Sequence, residues 1–99
     1  MKQILPQEVE QLLKEGKKLS IIDVREDEEV ALGKIPGARH IPLGQLAERM
    51  NEIEKDIEHI IVCRSGGRSS TACQFLEEHG YRVVNMVGGM LEWTGEVEK

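Results

Sequence analysis

The chain is poor in aromatic residues: Phe75, Tyr81 and Trp93 are all it has among 99 residues. Its core must therefore be built from Ile, Val, Leu and Met. Cysteine is scarce too. Cys63 and Cys73 are too few to staple a small fold together and lack zinc-ligand spacing. Basic residues are outnumbered, 13 Lys and Arg against 18 Asp and Glu, for a net charge of −5. That deficit argues against nucleic-acid or membrane partners, both of which need a basic face. No stretch approaches the ~20 apolar residues of a membrane span. The opening M-K-Q-I-L-P-Q-E-V-E has no apolar run of signal-peptide length. A cytoplasmic location, with both cysteines as free thiols, is the resulting expectation.

What is present fits one ordinary globular domain spanning 1–99, with 39% hydrophobic and 31% charged residues. P-Q-E-V-E-Q-L-L-K-E-G reads as a helix, with Pro6 in its first turn and Gly16 at its end. L-S-I-I-D-V, H-I-I-V and R-V-V-N-M-V are short β-branched runs of the kind found in strands buried on both faces. A brief strand is expected at Ala38 to Ile41, and R-E-D-E-E-V-A-L-G has the makings of a short acidic helix closed by Gly33. Leu43, Leu46, Met50 and Ile53 fall on one stripe and predict a helix from about Leu43 to Ile53. Another runs from Ser69 to His79, closed by Gly80, and a last short one lies near Leu91 and Trp93. Strands alternating with amphipathic helices predict an α/β fold with a parallel sheet covered on both faces. In such sheets ligands bind outside the carboxyl ends of the strands, which is where Cys63 stands.

The residues after Cys63 are Arg64, Ser65, Gly66, Gly67, Arg68 and Ser69. Adjacent glycines let the backbone turn with positive φ and aim N–H groups inward. Inward amides and a helix N-terminus form an anion cradle, and two arginines add charge. A thiol facing it is expected to have a depressed pKa and to be a nucleophilic thiolate near neutral pH. A buried, inert cysteine would explain Cys63 but not the five residues after it.

Two chemistries use a cysteine in such a loop. Cysteine phosphatases have Cys, five residues, then Arg, often with His before the Cys. Here Val62 precedes Cys63, Arg68 arrives one residue early, and Ser69 takes the phosphatase arginine position. The smaller ring of amides suits a single sulfur on the thiolate better than a phosphoryl group. I-I-D-V-R-E, G-K-I-P-G-A-R-H-I-P-L, V-C-R-S-G-G-R-S and G-Y-R-V-V-N-M-V-G-G-M-L-E-W, in that order between about Leu19 and Trp93, resemble the signatures of a single-domain rhodanese, a sulfurtransferase.

The resemblance implies a three-layer α/β/α sandwich around a five-stranded parallel sheet. It implies sulfane sulfur transfer through a persulfide on Cys63, from thiosulfate or a similar small anionic donor. The acceptor would be cyanide in a test tube, and a small thiol or a protein in the cell. Arg64 and Arg68 would orient the donor, amides from Ser65 through Gly66 and Gly67 to Ser69 would hold the persulfide, and no metal or organic cofactor is implied. A persulfide relay or sensing module is the alternative, and a phosphatase or arsenate reductase a weaker one. The family usually has His at Lys34 and Asn at His40, which places these departures at a structural corner. A short N-terminal portion leaves the site shallow and open.

Elsewhere, simple readings suffice. Cys73 is expected to pack on the helix after the loop, with a resolving role as the alternative. Asp23 and Arg25 are expected to be structural, with a place at the pocket mouth as the alternative. Gly88 and Gly89 are read as a turn and Trp93 as an anchor for the last helix. His59 and His79 are expected at the surface, and the acidic clusters are solvated faces, with docking of a basic partner as a second use.

Overall fold

In the computed structural model, which describes all of residues 1–99, five strands form one fully parallel sheet. They are β1 (Lys2–Ile4), β2 (Ser20–Asp23), β3 (Arg39–His40), β4 (Glu58–Val62) and β5 (Arg82–Met86), in spatial order β1-β5-β4-β2-β3. Three α-helices, α1 (Pro6–Lys14), α2 (Asp27–Val30) and α3 (Gly67–Glu78), connect them together with three short 3-10 segments.

The β-branched runs form the sheet's centre because both of their faces are covered. Along β4, Ile61 and then Cys63 just beyond it belong to one core, with Ala72, Cys73 and Leu76 of α3. Ile60 and Val62 belong to the other, with Val9 of α1, Ile35 and Met86. The same alternation separates Ile22 from Ile21 and Val83 from Val84, as a period of two requires. The sheet is thus the middle of three layers, as expected for the sandwich. No helix is long and apolar enough to cross a membrane.

The predicted helix over Leu43 to Ile53 is instead two 3-10 turns, Leu43–Gln45 and Met50–Glu52. The stripe spacing divides into two i, i+3 pairs, Leu43 with Leu46 and Met50 with Ile53, which is the 3-10 repeat. Leu46 and Ile53 still reach the core beside α3. Gly44 weakens a continuous helix, and two carbonyls serve other donors: the Tyr81 hydroxyl donates to Met50 O and Arg39 Nη1 to Glu52 O.

Other boundaries also move. The expected strand at Ala38 to Ile41 is reduced to Arg39–His40, the acidic helix to Asp27–Val30, and α3 begins at Gly67 rather than Ser69. The last element, Gly89–Glu92, is a 3-10 turn ahead of Trp93, which is only partly buried against the second core.

His59, expected at the surface, is fully buried. Its Nε2 donates to the carbonyl of Glu54 at 2.6 Å and its Nδ1 hydrogen-bonds the Ser20 hydroxyl at 2.6 Å. Both ring nitrogens are satisfied, so burial costs little.

Candidate active site

β4 is the middle strand of the sheet and delivers Cys63 to its carboxyl edge. The chain then turns through Gly66, whose φ of +106° only glycine adopts readily, and enters α3. Cys63 is buried, and its sulfur lies beneath this turn. The Gly66 N–H donates to Sγ at 3.0 Å, and the Ser69 hydroxyl lies 3.3 Å away.

Burial pushes the Cys63 thiol up, but the Ser69 hydroxyl and the backbone amides of Ser69, Gly66 and Ser65 outweigh it. The net result is a pKa below that of an ordinary thiol. The hydroxyl and amide dipoles are the largest of the influences that lower it. Cys73, also buried, has no such donors, and burial pushes it up to about 12. The two buried thiols thus differ in direction, Cys63 below and Cys73 above an ordinary thiol.

A second turn braces the loop. Met90 N donates to Cys63 O and Leu91 N to Arg64 O, each at 2.9 Å. Gly89 makes this approach possible. A Cβ there, at φ +59°, would meet the oxygens of Cys63 and Arg64 at 2.5 Å. Gly88 and Gly89, read from sequence as a simple turn, thus clamp the Cys63 loop.

The two loop arginines have different surroundings. Arg68 is committed to Glu29 of α2: Nη1 donates to Oε1 at 2.6 Å and Nη2 to Oε2 at 2.8 Å. The Arg68 fork, against a smaller burial penalty, holds the Glu29 carboxyl down to about 2. Arg64 is exposed and has no acidic partner. Of the two arginines expected to orient a donor, Arg68 thus has an acidic partner and Arg64 has none. Ser65 and Gly67 are exposed on the rim, whereas Ser69 is fully buried below it.

Beside the loop lies a small open cleft of about 190 Å³, lined by Arg25, Glu29, Leu32, Arg64, Met90 and Leu91. Its Arg25 is buried and occupied structurally. It forms an ion pair with fully buried Asp23 at 2.8 Å and donates to the carbonyls of Glu29 and Gly33. A larger groove of about 520 Å³ lies between α1 and the segment after Trp93, lined by Glu10, Leu13, Pro36 and Trp93 among others. It holds no nucleophile, so size alone does not mark the site. The two departures, Lys34 and His40, lie in a structural corner as expected. Lys34 Nζ donates to Ala38 O and pairs with Glu98, and His40 Nε2 donates to Arg25 O.

Asn85 of β5 was not singled out from sequence. It is buried beneath the loop, its Oδ1 accepting from the Ser69 hydroxyl at 2.5 Å and its Nδ2 donating to Gly66 O at 3.4 Å. The signal was a lone amide inside the apolar run V-V-N-M, since a buried polar side chain needs partners.

The chain, with this thiol at the carboxyl edge of its parallel sheet, belongs to the rhodanese-like domain family, whose pattern matches residues 5–96. The chain is similar to a putative sulfurtransferase, YtwF, of Bacillus subtilis, 44% identical over 98 residues and covering 99% of this chain and 95% of that protein. It is also similar to a sulfurtransferase of Allochromatium vinosum, 41% identical over 85 residues, with 85% and 79% of the two chains covered. The crystal structure of a rhodanese-like domain protein from Staphylococcus aureus superposes with a TM-score of 0.94 at 40% identity, covering 99% of this chain and 97% of that one.

Proposed function

We propose that this protein is a sulfurtransferase that carries a sulfane sulfur on Cys63. The observation that carries the reading is Cys63 Sγ beneath the Gly66 amide, in a loop that needs only six residues from Cys63 to Arg68. A thiol kept below its ordinary pKa by neutral donors ionises more readily to the nucleophilic thiolate. In this reading the same amides, from Ser65 to Ser69, hold the added anionic sulfur. The family membership and the names of the similar proteins support the same activity.

In the first half-reaction the Cys63 thiolate attacks the outer sulfur of thiosulfate or a similar small anionic donor. The Cys63–sulfur bond forms, the donor's S–S bond breaks, and sulfite departs with the electron pair. In the second, the acceptor's nucleophile takes the outer sulfur and the Cys63 thiolate returns. Cyanide serves in vitro, and a small thiol or a protein thiolate in the cell. Two half-reactions through one covalent intermediate give ping-pong kinetics. Arg64 is the free cation at the mouth, so it orients the anionic donor and departing sulfite, while Arg68 holds the loop against Glu29.

A relay reading has one observation in its favour. Leu32 and Leu91, which flank the cleft beside Arg64, are 78% and 60% exposed. An apolar rim around a reactive thiol suits a protein acceptor better than a small one. Supplying thiosulfate and then cyanide tests both readings. Steady thiocyanate production supports turnover, and loading with slow release supports relay. Failure to take sulfur from any donor, together with hydrolysis of phosphate esters, would overturn both.

A further inference from the structure

We propose that Asn85 is a positioning residue that sets the proton affinity of Cys63 by holding the hydroxyl proton of Ser69. The inference rests on Cys63 as the nucleophile of the reading above, and names what governs its charge. Ser69 has one O–H proton and three acceptors around it: Gly66 O at 3.1 Å, Asn85 Oδ1 at 2.5 Å and Cys63 Sγ at 3.3 Å.

Their needs differ. Gly66 O already accepts from Ser70 N at 3.1 Å and from Asn85 Nδ2. The second of these contacts fixes the orientation of the amide, because turning it over would set Oδ1 against a carbonyl oxygen. Held that way, Asn85 presents Oδ1 to Ser69, whose hydroxyl is its sole donor. Asn85 is only 4% exposed, so solvent does not replace that donor. A buried amide oxygen without a donor carries its whole desolvation penalty.

With its proton on Asn85, Ser69 turns a lone pair towards Sγ. This suits a thiol, whose S–H donates to Oγ, and opposes a thiolate, which needs donors. Ionisation of Cys63 therefore calls the hydroxyl proton round to Sγ and leaves Asn85 Oδ1 without a donor. Asn85 works against the amides of Ser65, Gly66 and Ser69. The opposition has a chemical use, since the intrinsic nucleophilicity of a thiolate falls as its pKa falls. The charged groups around this loop are Arg64, the Arg68–Glu29 pair with Glu26 beside it, the Asp23–Arg25 pair, Glu92 of the bracing turn, and Glu77 near Cys73 on α3. Cys73 on α3, with the amino terminus near it, remains a thiol. A change at Asn85 alters none of these.

The test is the pH dependence of Cys63 alkylation, with thiolate absorbance as a second readout, in wild type, Asn85→Leu, Ser69→Ala and the double variant. Asn85→Leu is expected to lower the midpoint, with alkylation roughly threefold to tenfold faster below both midpoints. Ser69→Ala raises it, and Asn85→Leu has no further effect in the Ser69→Ala background. An unchanged or raised midpoint in Asn85→Leu, or an equal shift without Ser69, overturns the proposal. Should Asn85→Leu fail to fold, the side-chain carbonyl resonance of Asn85 in wild type gives the answer. It is expected to titrate with the Cys63 midpoint, and a flat signal overturns the proposal. These readouts need no sulfur donor, so failure of sulfur transfer is distinguishable from failure of this inference.

Discussion

Arg68 and Glu29 join the end of the Cys63 loop to α2 through two parallel contacts, Nη1 to Oε1 at 2.6 Å and Nη2 to Oε2 at 2.8 Å. The pair connects residues 39 apart in sequence and commits Arg68 to structure. Because the fork depresses the folded-state pKa of Glu29 from 4.5 to about 2, the pair's contribution is complete above the unfolded value. It is lost as pH falls through the folded value. The stability difference between wild type and Arg68→Ala is therefore expected to be flat from neutral pH to about 4.5 and to shrink towards pH 2. Denaturant unfolding at stepped pH measures it, and a difference that fades above pH 5 would contradict the pairing.

With Arg68 engaged, the proposed sulfur transfer assigns recognition of an anionic donor to Arg64. Arg64→Ala is expected to raise the KM for thiosulfate roughly tenfold or more, the loss of a charge-assisted contact. Stability should change little at this exposed position. Steady-state kinetics with thiosulfate and cyanide decide it. An unchanged KM would remove Arg64 from donor binding.

The two cysteines should part company towards alkylating agents. In the folded protein Cys63 reacts with a midpoint below the 9.0 of an ordinary thiol. Cys73, pushed up to about 12 and fully buried, reacts only after unfolding. Peptide mapping after iodoacetamide treatment across pH reads both. Modification of Cys73 in the native state would contradict the packing described here.

The loop brace predicts that Gly89→Ala is far more harmful than Gly44→Ala. At Gly89 the added methyl meets two carbonyl oxygens at 2.5 Å in a positive-φ conformation, while at Gly44 it meets nothing within 4 Å. Strain and displacement together cost about 1–3 kcal/mol, and the displaced Cys63 and Arg64 carbonyls carry the site with them. Thermal unfolding and sulfur loading should both fall for Gly89→Ala alone.

Much of this molecule was readable as pattern. The runs around Ile21, Ile61 and Val83 are strands because β-branched residues facing both ways need cover on both sides, and the residues around Cys63 have the composition of an anion-holding turn. The reading from sequence was weaker wherever the partner is distant in the chain. His59 was misplaced because its satisfying groups, Ser20 and the Glu54 carbonyl, are brought to it only by the fold. The engagement of Arg68 was missed for the same reason, and Asn85 gave only the weak cue of polarity in an apolar run. β1, three residues at a sheet edge, has no periodicity to detect. The stripe from Leu43 to Ile53 misled because i, i+3 pairs belong to 3-10 turns and α-helices alike.

The central claim is that Cys63 accepts a sulfur atom. Intact mass spectrometry after incubation with thiosulfate tests it most directly, with wild type and Cys63→Ser compared side by side. The expected result is a gain of one sulfur atom in wild type, mapped to the Cys63 peptide and removed by cyanide, and none in Cys63→Ser. Equal gain in both proteins, or sulfur found on Cys73 instead, would contradict it.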